Sequence, residues 1–222
     1  MIPPQTASGG LEIEIKLPVA DSGTARRLLR RAGARGARRV RERNTLFDTR
    51  DRELGRTGRV LRVRTIERVA EGPKARAGAP KKAGRGPVVG ILTVKTPVEL
   101  AGYKVRREIE TIVEDPDRVE QMLASVGFEP WFRYEKFRTT YRLPGFQKLV
   151  IDLDETPVGV YFELEGPRSE IDRAARKLGY GPGDYLTASY YELFLAARER
   201  FGLPEAAMVF AKTPKTVRAA KK

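Results

Sequence analysis

Neither cysteine nor histidine occurs among the 222 residues. Their absence excludes disulfides, thiolate and imidazole metal centres, axially His-ligated haem, and catalysis through a Cys nucleophile or a His base. Any metal must be a hard cation held by carboxylate oxygens, with Mg²⁺ or Mn²⁺ the best fit. Long hydrophobic runs are missing too. No stretch approaches the roughly 18 apolar residues of a membrane span, and none reads as a secretory signal. A reducing, cytoplasmic setting is the expectation. There is no Walker A or GxGxxG segment, so the common nucleotide folds have no footing. What is there is a chain with 41% apolar residues, enough to bury a sizeable core in one large domain or two small ones.

The formal net charge of +14 suggests a polyanionic partner. Its distribution argues against a continuous nucleic-acid surface. Residues 26–43 carry +8, residues 68–88 carry +5 and residues 205–222 carry +4, which leaves the remainder at −3. The Arg26 to Arg43 run is assigned to a solvated helix and strand edge. Residues 1–10 read as a loose leader, 68–88 as a flexible insertion within a hairpin, and 203–222 as a basic tail, solvated rather than folded. The domain proper is then 11–202.

Within that domain, alternation marks eight strands: Leu11 to Leu17, Val40 to Asp48, Arg59 to Glu67, Val88 to Thr96, Lys104 to Val113, Trp131 to Leu143, Gln147 to Asp154 and Val160 to Glu165. Four helices carry apolar residues at i, i+3, i+4 and i+7. They centre on Ala25/Leu28/Leu29/Ala32, Val119/Met122/Leu123/Val126, Ile171/Ala174/Ala175/Leu178, and Leu186/Tyr190/Leu193/Phe194/Ala197/Phe201. Glu-x-Glu recurs at 12/14, 108/110 and 163/165, each time shortly before a helix.

The strand faces carry the functional signal. Leu11, Ile13, Ile15 and Leu17 oppose Glu12, Glu14 and Lys16; Leu61 and Val63 oppose Arg62 and Arg64; Leu149, Ile151 and Leu153 oppose Asp152 and Asp154. Strand after strand, the polar face is ionic and mixes acids with bases. An antiparallel sheet with one wet face is the plain explanation. A closed barrel, with helices covering its apolar outside and the ionic faces lining its lumen, explains the uniform charge better. Such a lumen must hold water, ions and a charged ligand, because desolvating unpaired ions costs several kcal/mol each. Carboxylates suit a divalent cation, and Arg and Lys suit phosphate. Trp131, Phe132 and Phe137 are assigned to outer-face packing.

The order of motifs resembles the CYTH superfamily of triphosphate tunnel metalloenzymes, which includes class IV adenylyl cyclases and thiamine triphosphatases. Glu12-x-Glu14-x-Lys16 looks like its ExExK signature. LFDT at 46–49, LRVR at 61–64, LTVK at 92–95, Arg106/Glu108/Glu110, EKFR at 135–138, DLDE at 152–155, YFELEG at 161–166 and SYYELF at 189–194 follow in order. The resemblance implies an α+β fold, an eight-stranded antiparallel tunnel with helices outside. It implies Mg²⁺ or Mn²⁺ held by Glu12, Glu14, Glu163 and Glu165 with Asp152 or Asp154. Lys16, Lys95 and Lys136, the catalytic set, together with Arg62, Arg64, Arg106 and Arg138, would grip the phosphates. Glu108 and Glu110 either hold a second metal or pair with neighbouring bases. Many relatives carry Lys immediately before the Ser-Tyr pair; Ala188 stands there in this chain.

The expected activity is metal-dependent hydrolysis of a triphosphate, either inorganic tripolyphosphate or an organic triphosphate. Cyclisation of ATP to cAMP and a non-catalytic polyphosphate- or RNA-binding module are the alternatives. The expected partner is a triphosphate-bearing small molecule, with nucleic acid not favoured, no membrane, and a homodimer compatible with the sequence.

Overall fold

The computed structural model describes residues 10–37, 39–69, 88–98, 102–202 and 207–211. Most of the leader, the insertion and the tail lie outside these residues. Strict alternation becomes long strands: β1 (Leu11–Val19), β2 (Arg35–Gly36), β3 (Val40–Asp48), β4 (Val60–Arg68), β5 (Val89–Val98), β6 (Lys104–Val113), β7 (Glu129–Arg142), β8 (Val150–Thr156), β9 (Gly159–Glu165) and β10 (Ala207–Met208). All eight expected strands form, within a few residues of their expected bounds. Eight of the ten close a barrel in the order β7-β3-β4-β5-β6-β1-β9-β8, with β8 returning to β7 and every barrel pairing antiparallel.

The helices start and stop where local chemistry says they should. α1 (Ser22–Arg31) begins where the Asp21 carboxylate accepts from Thr24 N at 2.9 Å. α2 (Glu53–Arg56) is a single turn, too short for a periodic signal, and the sequence pattern does not show it. Asp48 of the LFDT motif is spent on it: its carboxylate accepts the backbone N–H groups of Leu54 and Gly55, both at 2.9 Å. α3 (Pro116–Ser125) is capped by Asp115 and opens on proline, whose missing N–H costs nothing there. α4 (Arg168–Leu178) stops at Gly179, which takes the left-handed φ of 92°. α5 (Tyr190–Phe201) opens with a reciprocal Ser189/Glu192 capping box.

Three apolar clusters hold these pieces together. α1 and α4 cover the outer face of β1, β8 and β9, where Ala25, Leu29, Ile171 and Ala175 pack on Leu17, Ile151, Leu153, Phe162 and Leu164. α3 covers Leu61, Val63 and Phe47 with Val119 and Leu123. Only half of its expected stripe is used: Met122 and Val126 are 61% and 70% exposed. α5 behaves differently. Its Tyr190 and Phe194 join Leu46, Phe132, Tyr134 and Met208, so this helix stoppers one end of the barrel rather than covering its side.

Three expectations change here. Phe132 has the same strand parity as Tyr134 and Lys136 and faces inward against α5, not outward. Leu186 precedes the helix, and its backbone is stitched to Lys16 of β1 by two hydrogen bonds of 2.8 and 2.9 Å. Within the tail, Ala207 and Met208 run parallel to β7, Met208 is fully buried, and the Phe210 ring lies tilted against that of Phe137 at 5.0 Å. That short apolar stretch, AMVF, differs in character from the basic residues after it, and burial of Met208, with the contact of Phe210 on Phe137, fixes it in place.

Candidate functional site: a charged tunnel

The barrel interior is a cavity of about 1540 Å³. Glu12, Glu14 and Lys16 of β1, Arg62 and Arg64 of β4, Lys95 of β5, Arg106, Glu108 and Glu110 of β6, Lys136 and Arg138 of β7, Asp152 of β8, and Glu163 and Glu165 of β9 all line it. Alternation puts them there, because each strand turns every second side chain inward and the apolar set must face the helices. One expected ligand stands apart. Asp154 is 0% exposed and lies behind the cavity wall, where Lys136, Arg138 and Tyr190 all donate to it. Asp152, hydrogen-bonded by Thr140 at 2.6 Å, is the carboxylate that reaches the lumen from this strand.

Two groups of ion pairs span the lumen. On one side, Lys95 bridges Glu12 at 2.6 Å and Glu108 at 3.1 Å, while Arg62 reaches Glu108 at 3.6 Å and Glu110 at 3.2 Å. On the other, Arg138 contacts Asp152 at 2.7 Å, Asp154 at 2.6 Å and Glu163 at 2.9 Å, and Lys16 joins Glu14 at 3.0 Å to Glu163 at 3.4 Å. Glu108 and Glu110 therefore pair with neighbouring bases in this state. The sequence reading gave no role to Glu42, Lys104, Tyr134 or Tyr190, although each lines the cavity. Glu42 lies 3.6 Å from Lys136 and 3.8 Å from Arg64, and Lys104 lies 2.6 Å from Glu14. The signal for Glu42 was its parity: it alternates inward with Asn44 and Asp48. Tyr190 is set by tertiary packing, its ring 5.1 Å from the Lys16 ammonium and 4.8 Å from that of Lys136.

The electrostatics divide the carboxylates. Burial opposes ionisation of Glu163, but Lys16 and Arg138 outweigh it and hold its carboxyl well below the usual range. Glu42 is likewise held down against burial by Arg64, Lys136 and Arg138. Glu165 goes the other way: burial, then the neighbouring charges of Glu12 and Glu163, push it up to about 8. Burial raises Asp152 to about 6, and burial followed by Lys16 and Arg106 lowers Lys104 to about 8. Glu165 makes no ion pair within 4.0 Å among the described residues, and it sits opposite Glu14 in the β1–β9 register. A carboxyl forced neutral among other carboxylates is a place where an added cation is welcome.

That is the observation on which a divalent metal fits. The donors are all hard oxygens, on adjacent strands and one inward face. Among the described residues no three carboxylates already converge on a common centre, because Lys16, Lys95 and Lys104 hold several of them. A metal here would need oxygens from its ligand as well. On the basic side, Arg62 Nε and Arg64 Nε are buried donors without an acceptor, and both amide atoms of Asn44 are also unpartnered.

A closed antiparallel barrel with cations and carboxylates facing one lumen defines a charged tunnel fold. The chain belongs to the CYTH family, whose domain model matches residues 10–190. A relative in Methanocaldococcus jannaschii, provisionally named adenylate cyclase MJ0240, is 23% identical over 168 residues, which is 76% of this chain and 83% of that protein. A Vibrio parahaemolyticus structure, provisionally named an adenylate cyclase, matches with TM-score 0.65 at 20% identity, covering 84% of this chain and 99% of that one. The Hippeastrum protein HpAC1, provisionally named an adenylyl cyclase and described as having a dominant triphosphatase activity, matches with TM-score 0.54 at 18% identity, covering 84% of this chain and 95% of that one. These structural likenesses share the tunnel fold.

Proposed function

We propose that the protein hydrolyses a triphosphate with the help of a divalent cation, Mg²⁺ or Mn²⁺. The observation that carries this is the lumen itself, where Arg62 and Arg64 keep unpartnered donors and Glu165 is pushed up by burial and then by its acidic neighbours. Arg62, Arg64, Arg138 and Arg106 would fix the phosphate oxygens, and Lys16, Lys95 and Lys136 would neutralise charge at the reacting phosphorus. Glu12, Glu14, Glu163 and Glu165, with Asp152, would hold the metal. When bound, the cation supplies charge neutralisation and orientation of phosphate oxygens. Asp154 acts from behind, fixing Lys136 and Arg138.

Binding is an exchange of partners. Lys16 and Lys95 are already paired with Glu14 and Glu12, so an incoming triphosphate must draw them away, and the released carboxylates are then free to take metal. Metal and triphosphate should therefore strengthen each other's binding. The domain is proposed to span residues 11–202. The name of the M. jannaschii relative favours ATP cyclisation as the second reading. The deciding experiment is product analysis with ATP, tripolyphosphate and thiamine triphosphate, each with Mg²⁺ and with Mn²⁺. Orthophosphate supports hydrolysis, cAMP with pyrophosphate supports cyclisation, and no product from any of them rejects both.

A further inference from the structure

Two sets of cations that lie far apart in the sequence meet on the outside of the barrel. The last turns of α1 and α4 share a groove of about 280 Å³, lined by Arg31, Arg176 and Lys177 over a floor of Leu28, Ala32 and Leu178. Arg27 stands one turn before Arg31, with Arg30 beside it, and Arg173 stands one turn before Arg176 and Lys177. All six cations are exposed. None of the six makes an ion pair within 4.0 Å among the described residues. Arg27 donates to the Thr24 hydroxyl at 2.7 Å and Arg173 to the Gly145 carbonyl at 2.9 Å, both neutral oxygens that cancel no charge.

The acids nearby are engaged elsewhere. α1 contains no Asp or Glu, and Asp21 caps it through Thr24. On α4, Glu170 accepts the backbone N–H of Lys148, and Asp172 accepts the hydroxyls of Tyr103 and Tyr185. A helix C-terminus welcomes a cation or two, but cations one turn apart repel each other, so a face of six is favoured only when an anion is brought to it. Five of the six are arginines, whose planar fork matches a phosphate bidentately. Neither helix carries an aromatic residue or a large exposed apolar one. The face therefore lacks both the wedge that would seat it in a bilayer and the rings on which single-stranded bases stack. We propose that this groove and its flanking cations dock the phosphate backbone of a nucleic-acid duplex, by charge and without reading bases.

The test is fluorescence anisotropy of a labelled DNA duplex of about 20 bp, in EDTA, from roughly 50 to 200 mM NaCl. With all six cations engaged, log K against log salt should have a slope of about −5. Arg31→Gln combined with Arg176→Gln should flatten that slope by about 2 and weaken binding roughly fiftyfold near 0.1 M salt. Both positions are exposed and glutamine is a good helix former, so the circular dichroism spectrum should be unchanged. Arg50→Gln combined with Arg133→Gln removes the same charge from exposed positions on other elements and should change affinity by less than about threefold. An RNA duplex of equal length should bind like the DNA, because only phosphates are addressed. A wild-type slope in the groove variant would move the contact to the basic residues of 68–88 or 205–222 and overturn the assignment. So would an absence of binding at the lowest salt, equal weakening by the control pair, a strong preference for one sugar, or tighter binding to phosphatidylserine vesicles than to the duplex.

Discussion

The Asp154→Asn substitution keeps the side-chain outline and removes a single negative charge from a position that is 0% exposed. Lys136 Nζ donates there at 2.8 Å, Arg138 Nε and Nη2 at 2.7 and 2.6 Å, and the Tyr190 hydroxyl at 2.5 Å. An amide offers one acceptor oxygen where the carboxylate offers two, and turns an N–H₂ toward donors. Removing one partner of a buried ion pair costs about 3–5 kcal/mol, because the remaining charge stays buried. For a chain of this size each kcal/mol moves Tm by roughly 2–4 °C, so the loss should be roughly 6–20 °C. Urea melts followed by circular dichroism, with calorimetry alongside, measure both quantities. Tyr190→Phe removes only one hydrogen bond to a charged group and should cost about 1.5–3 kcal/mol. If Asp154→Asn melts within about 0.5 kcal/mol of wild type, water reaches the pair and Asp154 does not anchor the wall.

Glu12→Gln or Glu14→Gln should raise the Mn²⁺ concentration needed for half-maximal turnover, with activity partly restored by more metal. Arg62→Ala or Arg64→Ala should lower kcat/KM by on the order of 3 kcal/mol, about a hundredfold, and added metal should not help; full turnover in both classes would end the enzyme reading. Glu42 is titrated in its own way. Burial works against its charge, but Arg64, Lys136 and Arg138 depress its folded-state ionisation below the unfolded value of 4.5, so it stabilises the fold above that pH and the contribution is lost as pH falls through and below it. Glu42→Gln should flatten the acid limb of a stability-against-pH curve, and an unchanged limb would show that Glu42 is not held as described.

The strands were legible because their period is short and their faces chemically opposed. One face of β1 is Leu11, Ile13, Ile15 and Leu17, and the other is Glu12, Glu14 and Lys16, so no packing detail is needed to assign inside and outside. β3 was harder. Its inward row runs Val40, Glu42, Asn44, Leu46 and Asp48, mixed in polarity, so a rule that looked for purely ionic strand faces passed over Glu42. Asp152 and Asp154 share parity and composition, and it is the contacts of Lys136 and of Tyr190 from α5, some 36 residues away, that separate them, which is a tertiary fact. Phe132 and Leu186 were misplaced for the same reason. Both depend on how α5 meets the barrel end, and that meeting leaves no local pattern.

The β-ladder has a consequence for how the chain reaches this state. β1 is bonded to β6 through Leu11–Glu14 and to β9 through Glu14–Val19, and the ring closes only when β8 joins β7. The β1–β6 seam cannot form until residues near 107 are available, and the β1–β9 seam until residues near 165, so the first strand waits for about half of the chain for one partner and nearly three-quarters for the other. Non-local pairings of this kind make for slow folding, with long exposure of unpaired strand edges. During that interval the surface that will become the lumen faces water, and its Glu, Lys and Arg side chains are the sort of residues that keep open strands from sticking to one another. The charges that line the finished tunnel thus also guard the unfinished sheet, and stripping them for tighter packing should make refolding yield fall before stability does.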